Sequence, residues 1–280
     1  MKPESEGMEE NKSVKSEDVP LRPVIKKILK NILPVALIRS VHFCRKLVNT
    51  WHFQIRDLWI RPHRHTTVPN VSGKVSIIIP TLSKGKQADH LPMLHKLLSR
   101  HLPRQTYDNY EAIVYCDGPN PEVEKMVECL NDDRIKVLAT ETTLAKWGHP
   151  QTRLGIMAAM GEYFVRMNDD NVPWPNYLET LVGGFDQDVG VVYGRIIFKG
   201  DARRAHSRAL MRSFVLPGDK DGTLEHMNID YMNYMVRMDL ARKNVQHWDD
   251  SYASDWVAID SLLRQKIKAV FRDVLIGEKY

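Results

Sequence analysis

From Lys74 onward, apolar residues fall into short unbroken runs separated by stretches with helical spacing. "VSIIIPT", Val75 to Thr81, is a continuous β-branched run closed by Pro80, which predicts a strand buried on both faces. Leu91, Leu94, Leu97, Leu98 and Leu102 then recur at the spacing of one helix face. "EAIVYCDGPNP" predicts a second strand, stopped by Asp117-Gly118-Pro119, and Pro121 opens a helix carrying Val123, Met126, Val127 and Leu130 on one side. "RIKVLAT" predicts a third strand, Thr152 to Met160 a helix and "YFVRM" a fourth strand; Tyr177, Leu178, Leu181, Val182 and Phe185 make a further helical stripe. Strand and helix alternating in this way imply an α/β fold: a single, mostly parallel mixed sheet with helices on both faces.

The segment before this pattern is of a different kind. Residues 1–20 are rich in Glu, Lys and Ser with almost no large apolar side chains, so they cannot bury enough surface to offset chain entropy and are expected to be a disordered tail. Residues 21–66 mix apolar side chains with a row of Lys and Arg against the single acid Asp57, the composition of a basic amphipathic helical arm. Its longest clean run, "NILPVALI", is too short to span a bilayer, which takes about 20 apolar residues, and Pro34 kinks any helix through it. Two readings stand: the arm lies on a membrane surface with Trp51, Phe53 and Trp59 at headgroup level and its cations on anionic lipid, or it packs on protein. The catalytic domain is expected over residues 67–280.

With 43% hydrophobic and 27% charged residues, the 280-residue chain can bury one sizeable core. The net charge of +5 is concentrated in the arm, among long aliphatic side chains rather than on a stacking or groove-reading element, which argues against nucleic acid as a partner. Cys44, Cys116 and Cys129 are odd in number and lack metal-ligand spacing; a reducing, cytoplasmic setting fits them, on the inner face of the plasma membrane if the arm binds lipid.

Candidate chemistry sits where the predicted strands end. Ligands of such sheets bind beyond the carboxyl ends of the strands, and Asp117 and the pair Asp169-Asp170 both stand there. Two carboxylates so close repel unless a cation joins them, which points to a divalent ion bridging to an anionic substrate, Mg or Mn rather than Zn. Asp-Asp-Asn alone also suits an Asx-rich turn capping the helix after Pro175.

Taken in order, "KVSIIIPT", "EAIVYCDGPNPE" and "GIMAAMGEYFVRMNDDNVPWPNYLE" resemble the opening strand, the strand ending in Asp-Gly and the acidic metal motif of the family 2 inverting glycosyltransferases, over about Lys74 to Phe198. The resemblance implies the A-type glycosyltransferase fold, a nucleotide-binding α/β sheet. It implies Pro80 and Thr81 beside the base of a nucleotide-sugar donor, with UDP favoured, Asp117 bonded to that base, Asp169 over the ribose or sugar, and Asp170 on the Mn or Mg. Asn168 stands where the family's pattern usually has its first acid. In "WGHPQTRLGI", His149 and Arg153 are the polar candidates near the phosphates. The family's catalytic base heads a late helix, and Asp255 in "HWDDSYASDWVAIDSLLRQ" matches it, with Asp249 and Asp250 as rivals; in "NIDYMNYMVRMDLARK", Asp230 would border the donor sugar. The chain lacks the Gln-x-x-Arg-Trp motif of processive polymerases, so the resemblance implies transfer of one sugar per encounter to a glycan or lipid-linked hydroxyl acceptor in cell-envelope or surface-glycan synthesis.

Two other classes compete. A nucleotidyltransferase would carry a Gly-rich, cationic loop after its first strand, and Lys84-Gly85-Lys86 keeps that reading open. A non-catalytic module working through the arm at a membrane surface is the other. A chain beginning at Val68 should therefore keep nucleotide-sugar binding and lose sedimentation with anionic liposomes; unfolding or a changed oligomeric state in that chain would make the arm a packing element instead.

Overall fold

Strand β1 (Val71–Leu82) organises the molecule. In the computed structural model, which describes residues 71–82, 90–199 and 214–279, its residues from Val75 to Thr81 are buried. The tail 1–20, the arm 21–66 and the Lys84-Gly85-Lys86 segment lie outside the described residues. Side chains alternate across a strand: Ile77 and Ile79 enter one core layer with Leu94, Leu97, Val123 and Leu178, while Ile78 enters the other with Ile156, Met238, Ala258 and Ile259. Covering both faces in this way is what a continuous β-branched run requires.

Around β1 the chain builds outward. Helix α1 (His90–Lys96) continues through a wider turn, Leu97–His101, and places Leu94, Leu97, Leu98 and Leu102 in the core, as their spacing predicts. Strand β2 (Tyr110–Asp117) runs parallel to β1. Helix α2 (Pro121–Leu130) starts at Asn120, whose side chain accepts from the Val123 amide, and ends on left-handed Asn131. Strand β3 (Ile135–Ala139) lies parallel to β2, and strand β4 (Gly161–Arg166) runs parallel to β1 on its other side. Between them helix α3 (His149–Ala158) begins a turn earlier than its apolar spacing suggests, because Gly148 and Pro150 form its start.

The second half makes the sheet mixed. Strand β5 (Asn171–Pro173), helix α4 (Tyr177–Val182), strand β6 (Val189–Phe198), strand β7 (Phe214–Leu216), strand β8 (Tyr234–Arg237), helices α5 (Met238–Lys243) and α6 (Ser254–Arg264) and strand β9 (Lys268–Lys279) follow in order. The sheet reads β3-β2-β1-β4-β8-β6-β9-β5, with β7 beside β6. Strand β8 is antiparallel to both β4 and β6, and β9 is parallel to β6 and antiparallel to β5. Among the described residues, no helix is long and apolar enough to cross a membrane.

At the amino end of the parallel strands a buried carboxylate, Glu111, ties the sheet together. It accepts from the Ser76 hydroxyl at 2.7 Å, the Met160 amide at 2.6 Å and the Lys136 ammonium at 2.9 Å. Burial alone would push its proton affinity up, but these three donors outweigh that and hold the carboxyl below the ordinary range.

Helix α3 packs closely on β1 through Gly155, where an added Cβ would stand 2.6 Å from Cγ2 of Ile78. Gly155→Ala should therefore destabilise by about 1–3 kcal/mol, the usual range for overpacking, despite alanine's better helix propensity. Urea unfolding measures this; an unchanged or raised midpoint would mean that α3 can slide on the sheet.

Candidate active site

Because β1, β2 and β4 run in one direction, Thr81, Asp117 and the Asn168 to Asp170 turn all leave the sheet at the same edge. Asp117 is fully buried. Its carboxylate accepts from the backbone amides of Leu144 at 2.7 Å and Ala145 at 2.8 Å and from Nε2 of Gln151 at 2.7 Å. These bonds hold the loop between β3 and α3 in an unusual shape: Ala145, Lys146 and Trp147 take φ values of 60°, 73° and 51°, a region in which each L-residue is strained by about 1–2 kcal/mol. Gly148 then passes so close to Pro80 that a Cβ would lie 2.5 Å from that ring. Asp117 thus bonds to the loop and to the first turn of α3, and Pro80 is packed against Gly148.

Asp170 follows β4 in a turn that Asn171 closes, its Oδ1 accepting from the Asn168 amide at 2.7 Å. Asp169 meets Nδ1 of His90 at 3.0 Å. Asp170 is pushed up to about 6 by burial, with Asp169 and Asp230 adding to the effect and Lys279 and His90 opposing it. Asp230 caps the short turn Tyr231–Asn233, where its side chain accepts from the Met232 amide while Asn233 returns a bond to the Asp230 amide. Lys279 forms an ion pair with Asp230. Its position is set by strand register: on β9 it stands opposite Asn171 of β5 and Phe198 of β6, which brings its ammonium beside the acid turn.

Helix α6 supplies the fourth carboxylate. Asp255 lies in its first turn, half-buried, and accepts one hydrogen bond, from the Trp256 amide at 2.8 Å. Burial pushes it up to about 6, helped by Asp230 and opposed by that amide, Lys279 and Arg166. The two rivals are engaged elsewhere: Asp249 accepts from the amide and hydroxyl of Ser251, and Asp250 pairs with Arg153 at 3.1 Å. Arg153 also donates to the Trp248 carbonyl at 2.6 Å, so the cation expected near the phosphates fastens α3 to the loop before α6. His149 is buried with Nδ1 3.3 Å from the Tyr231 hydroxyl; burial first, then Arg166 and Arg153, lowers it to about 3, so the ring is neutral at physiological pH.

The structure therefore gathers Asp169, Asp170, Asp230 and Asp255 at one edge, and it adds residues that the sequence did not single out. Arg166 is buried, stacks 3.8 Å over the Tyr231 ring and donates to the Trp147 carbonyl at 2.9 Å, while its Nε and Nη1 have no hydrogen-bond partner among the described residues. An arginine inside the apolar run "YFVRM" was the available signal. Lys279 had none. Among the described residues, no three His, Cys, Asp or Glu side chains stand in an arrangement that could hold a metal ion by themselves. A nucleotide-bridging divalent ion needs only one or two carboxylates, with phosphate and water completing its shell, and the half-buried, under-bonded Asp170 fits that lesser demand.

A family model described as Glycosyl transferase family 2 matches residues 76–242. The glycosyltransferase GlyG of Streptococcus pneumoniae is 29% identical over 128 residues, covering 44% of this chain and 39% of its own length. The crystal structure of S. aureus TarS 1-349 aligns with a TM-score of 0.52 at 16% identity over 74% of this chain and 60% of TarS 1-349. The Pyrobaculum calidifontis mannosyltransferase PcManGT, solved with GDP-Man and Mn2+, aligns at 0.51 with 14% identity over 87% of this chain and 67% of its own. At these identities the structural likeness shows the fold, and the chain spans 39% of the length of GlyG and 60% of TarS 1-349.

Holding carboxylates together with too few donors has a measurable cost. Asp170 and Asp255 both bind protons more tightly folded than unfolded, so their contribution to stability is complete below the ordinary aspartate range and is lost as pH rises from about 4 to about 6. Asp170→Asn and Asp255→Asn should each stabilise the fold at pH 7, by up to about 3 kcal/mol on the scale of 1.36 kcal/mol per pKa unit, read as a raised thermal midpoint, with little gain at pH 4. A lowered midpoint in both variants at pH 7 would show that the carboxylates are held by attraction rather than against repulsion.

Proposed function

From the premise that the chain belongs to glycosyl transferase family 2, we propose that it moves one sugar from a nucleoside-diphosphate sugar to a hydroxyl acceptor in a single inverting displacement. The observation that carries this reading is the meeting of Asp170, Asp230 and Asp255 with the cations Arg166 and Lys279 at the carboxyl edge of the sheet. TarS has been solved in complex with UDP-GlcNAc and PcManGT with GDP-Man and Mn2+; both support a nucleotide-sugar donor, and UDP is favoured here.

In this reading the base lies beside Thr81, Pro80 and Asp117, Asp169 faces the ribose or sugar, and Asp170 would hold Mn or Mg. The ion, when bound, would draw negative charge from the diphosphate leaving group. Arg166 and Lys279 add fixed positive charge on the same side. Asp230, locked by its turn, borders the sugar. Asp255 receives the proton of the acceptor hydroxyl as that oxygen attacks opposite the leaving group, which inverts the anomeric centre without a covalent enzyme intermediate. With one hydrogen bond and a proton affinity near pH 6, Asp255 is ionised at neutral pH yet basic enough to act. The acceptor, a glycan or lipid-linked hydroxyl of the cell envelope, would be met at the cytoplasmic membrane face if the arm binds lipid.

Asp255→Asn should leave binding of nucleoside diphosphate and Mn as in the parent and lower turnover 10²- to 10⁴-fold, the range for loss of a general base. Turnover of the parent should rise with pH through an acid limb near 6. Calorimetry with nucleoside diphosphates and transfer assays with nucleotide sugars measure both. Full turnover in this variant, or no nucleotide binding by the parent, would overturn the assignment.

A further inference from the structure

The strained loop held by Asp117 ends on an indole in solvent. Trp147 is 63% exposed and Tyr252 83% exposed, the two most exposed Trp, Tyr or Phe rings among the described residues. They are not independent. Their centroids are 6.2 Å apart with the planes at 82°, an edge-to-face contact that leaves much of both rings in solvent. The loops that carry them are fastened to each other: Arg153, on the helix that leaves the Trp147 loop, holds Asp250 and the Trp248 carbonyl, and Lys146 lies 4.0 Å from Asp250. Beside the pair, Arg166 donates to the Trp147 carbonyl and His149 stands 6.4 Å from the indole.

Large exposed aromatics on a rigid frame mark a binding surface. From this geometry we infer that Trp147 and Tyr252 form the subsite that holds a sugar ring of the acceptor, an inference that rests on the glycosyltransferase reading and extends it to the acceptor's class. The apolar face of a pyranose presents axial C–H groups, which an electron-rich ring face attracts, while its hydroxyls stay in water at the open side. Two rings meeting edge to face offer such faces but no slot with parallel walls, the arrangement from which a planar nucleobase gains most. Tyr252 lies three residues before Asp255 on the loop that enters α6, so at most about 11 Å of chain separates the two positions. On this inference the acceptor is a saccharide rather than a protein hydroxyl or a bare lipid alcohol.

An array of mono- to tetrasaccharides of hexoses, hexosamines and hexuronic acids, read with the full chain, tests this beside calorimetry with UDP and GDP. The parent should bind a subset of the array; Trp147→Ala and Tyr252→Ala should weaken that binding about tenfold or more, as loss of an aromatic anchor does, and Trp147→Phe should retain most of it. Both rings are exposed, so the variants should fold, which their melting curves check. Nucleotide affinity should be the same in all of them. Loss of nucleotide binding in Trp147→Ala would make the indole a shelf for the base and overturn the subsite. So would parent binding that neither alanine change disturbs, or a parent that binds nucleotide and no saccharide. A parent that binds saccharide but no nucleotide would leave the subsite standing and remove the transferase reading.

Discussion

A carboxylate at the end of a buried strand must find donors, and Asp117 finds three within one stretch of chain. Left unpaired in that position, the charge would be costly by several kcal/mol; satisfied by Leu144, Ala145 and Gln151, it dictates the path of the backbone. Three successive residues in the left-handed region persist only because this demand outweighs their strain. The position of Trp147, the start of α3 at Gly148, and hence the reach of Arg153 to the loop before α6 all follow from it.

The two ends of the parallel strands treat buried acid in opposite ways. Glu111 has a hydroxyl, an amide and an ammonium, and its carboxyl is held low. Asp170 and Asp255 have few donors and are held high. The first arrangement fastens four segments of the sheet. The second leaves lone pairs and negative charge uncommitted, which is what a site must offer to a proton or a cation. Stability is concentrated at one end of the strands and reactivity at the other.

Much of this was readable before any coordinates. The runs "VSIIIPT", "EAIVYCD" and "YFVRM" fall within β1, β2 and the β4 end, because a strand covered on both faces needs continuous apolar residues and few other structures tolerate them. Asp117 and Asp170 could be placed at the carboxyl edge from their position after such runs, and Asp255 in a first turn from the apolar face that follows it. The mixed half of the sheet was less legible, since β7 and β5 have three residues each and carry no period. Arg166 and Tyr231 act as a stacked pair drawn from β4 and a turn 65 residues further on, roughly the separation at which sequence spacing says nothing about contact. Lys279 reaches Asp230 through pairing of β9 with two other strands, and only the sheet order reveals it.

The register of β9 has a meaning of its own. Side chains change face at every step along a strand, so a slip of one residue would turn Lys279 away from Asp170 and Asp230 and leave the acidic edge without its ammonium. Each misaligned sheet is thereby marked by a knot of like charges that the aligned sheet lacks. The same carboxylates that await a substrate act beforehand as a gauge of assembly, discriminating between pairings that the apolar core, to which β9 offers apolar residues on either face, would accept with less preference.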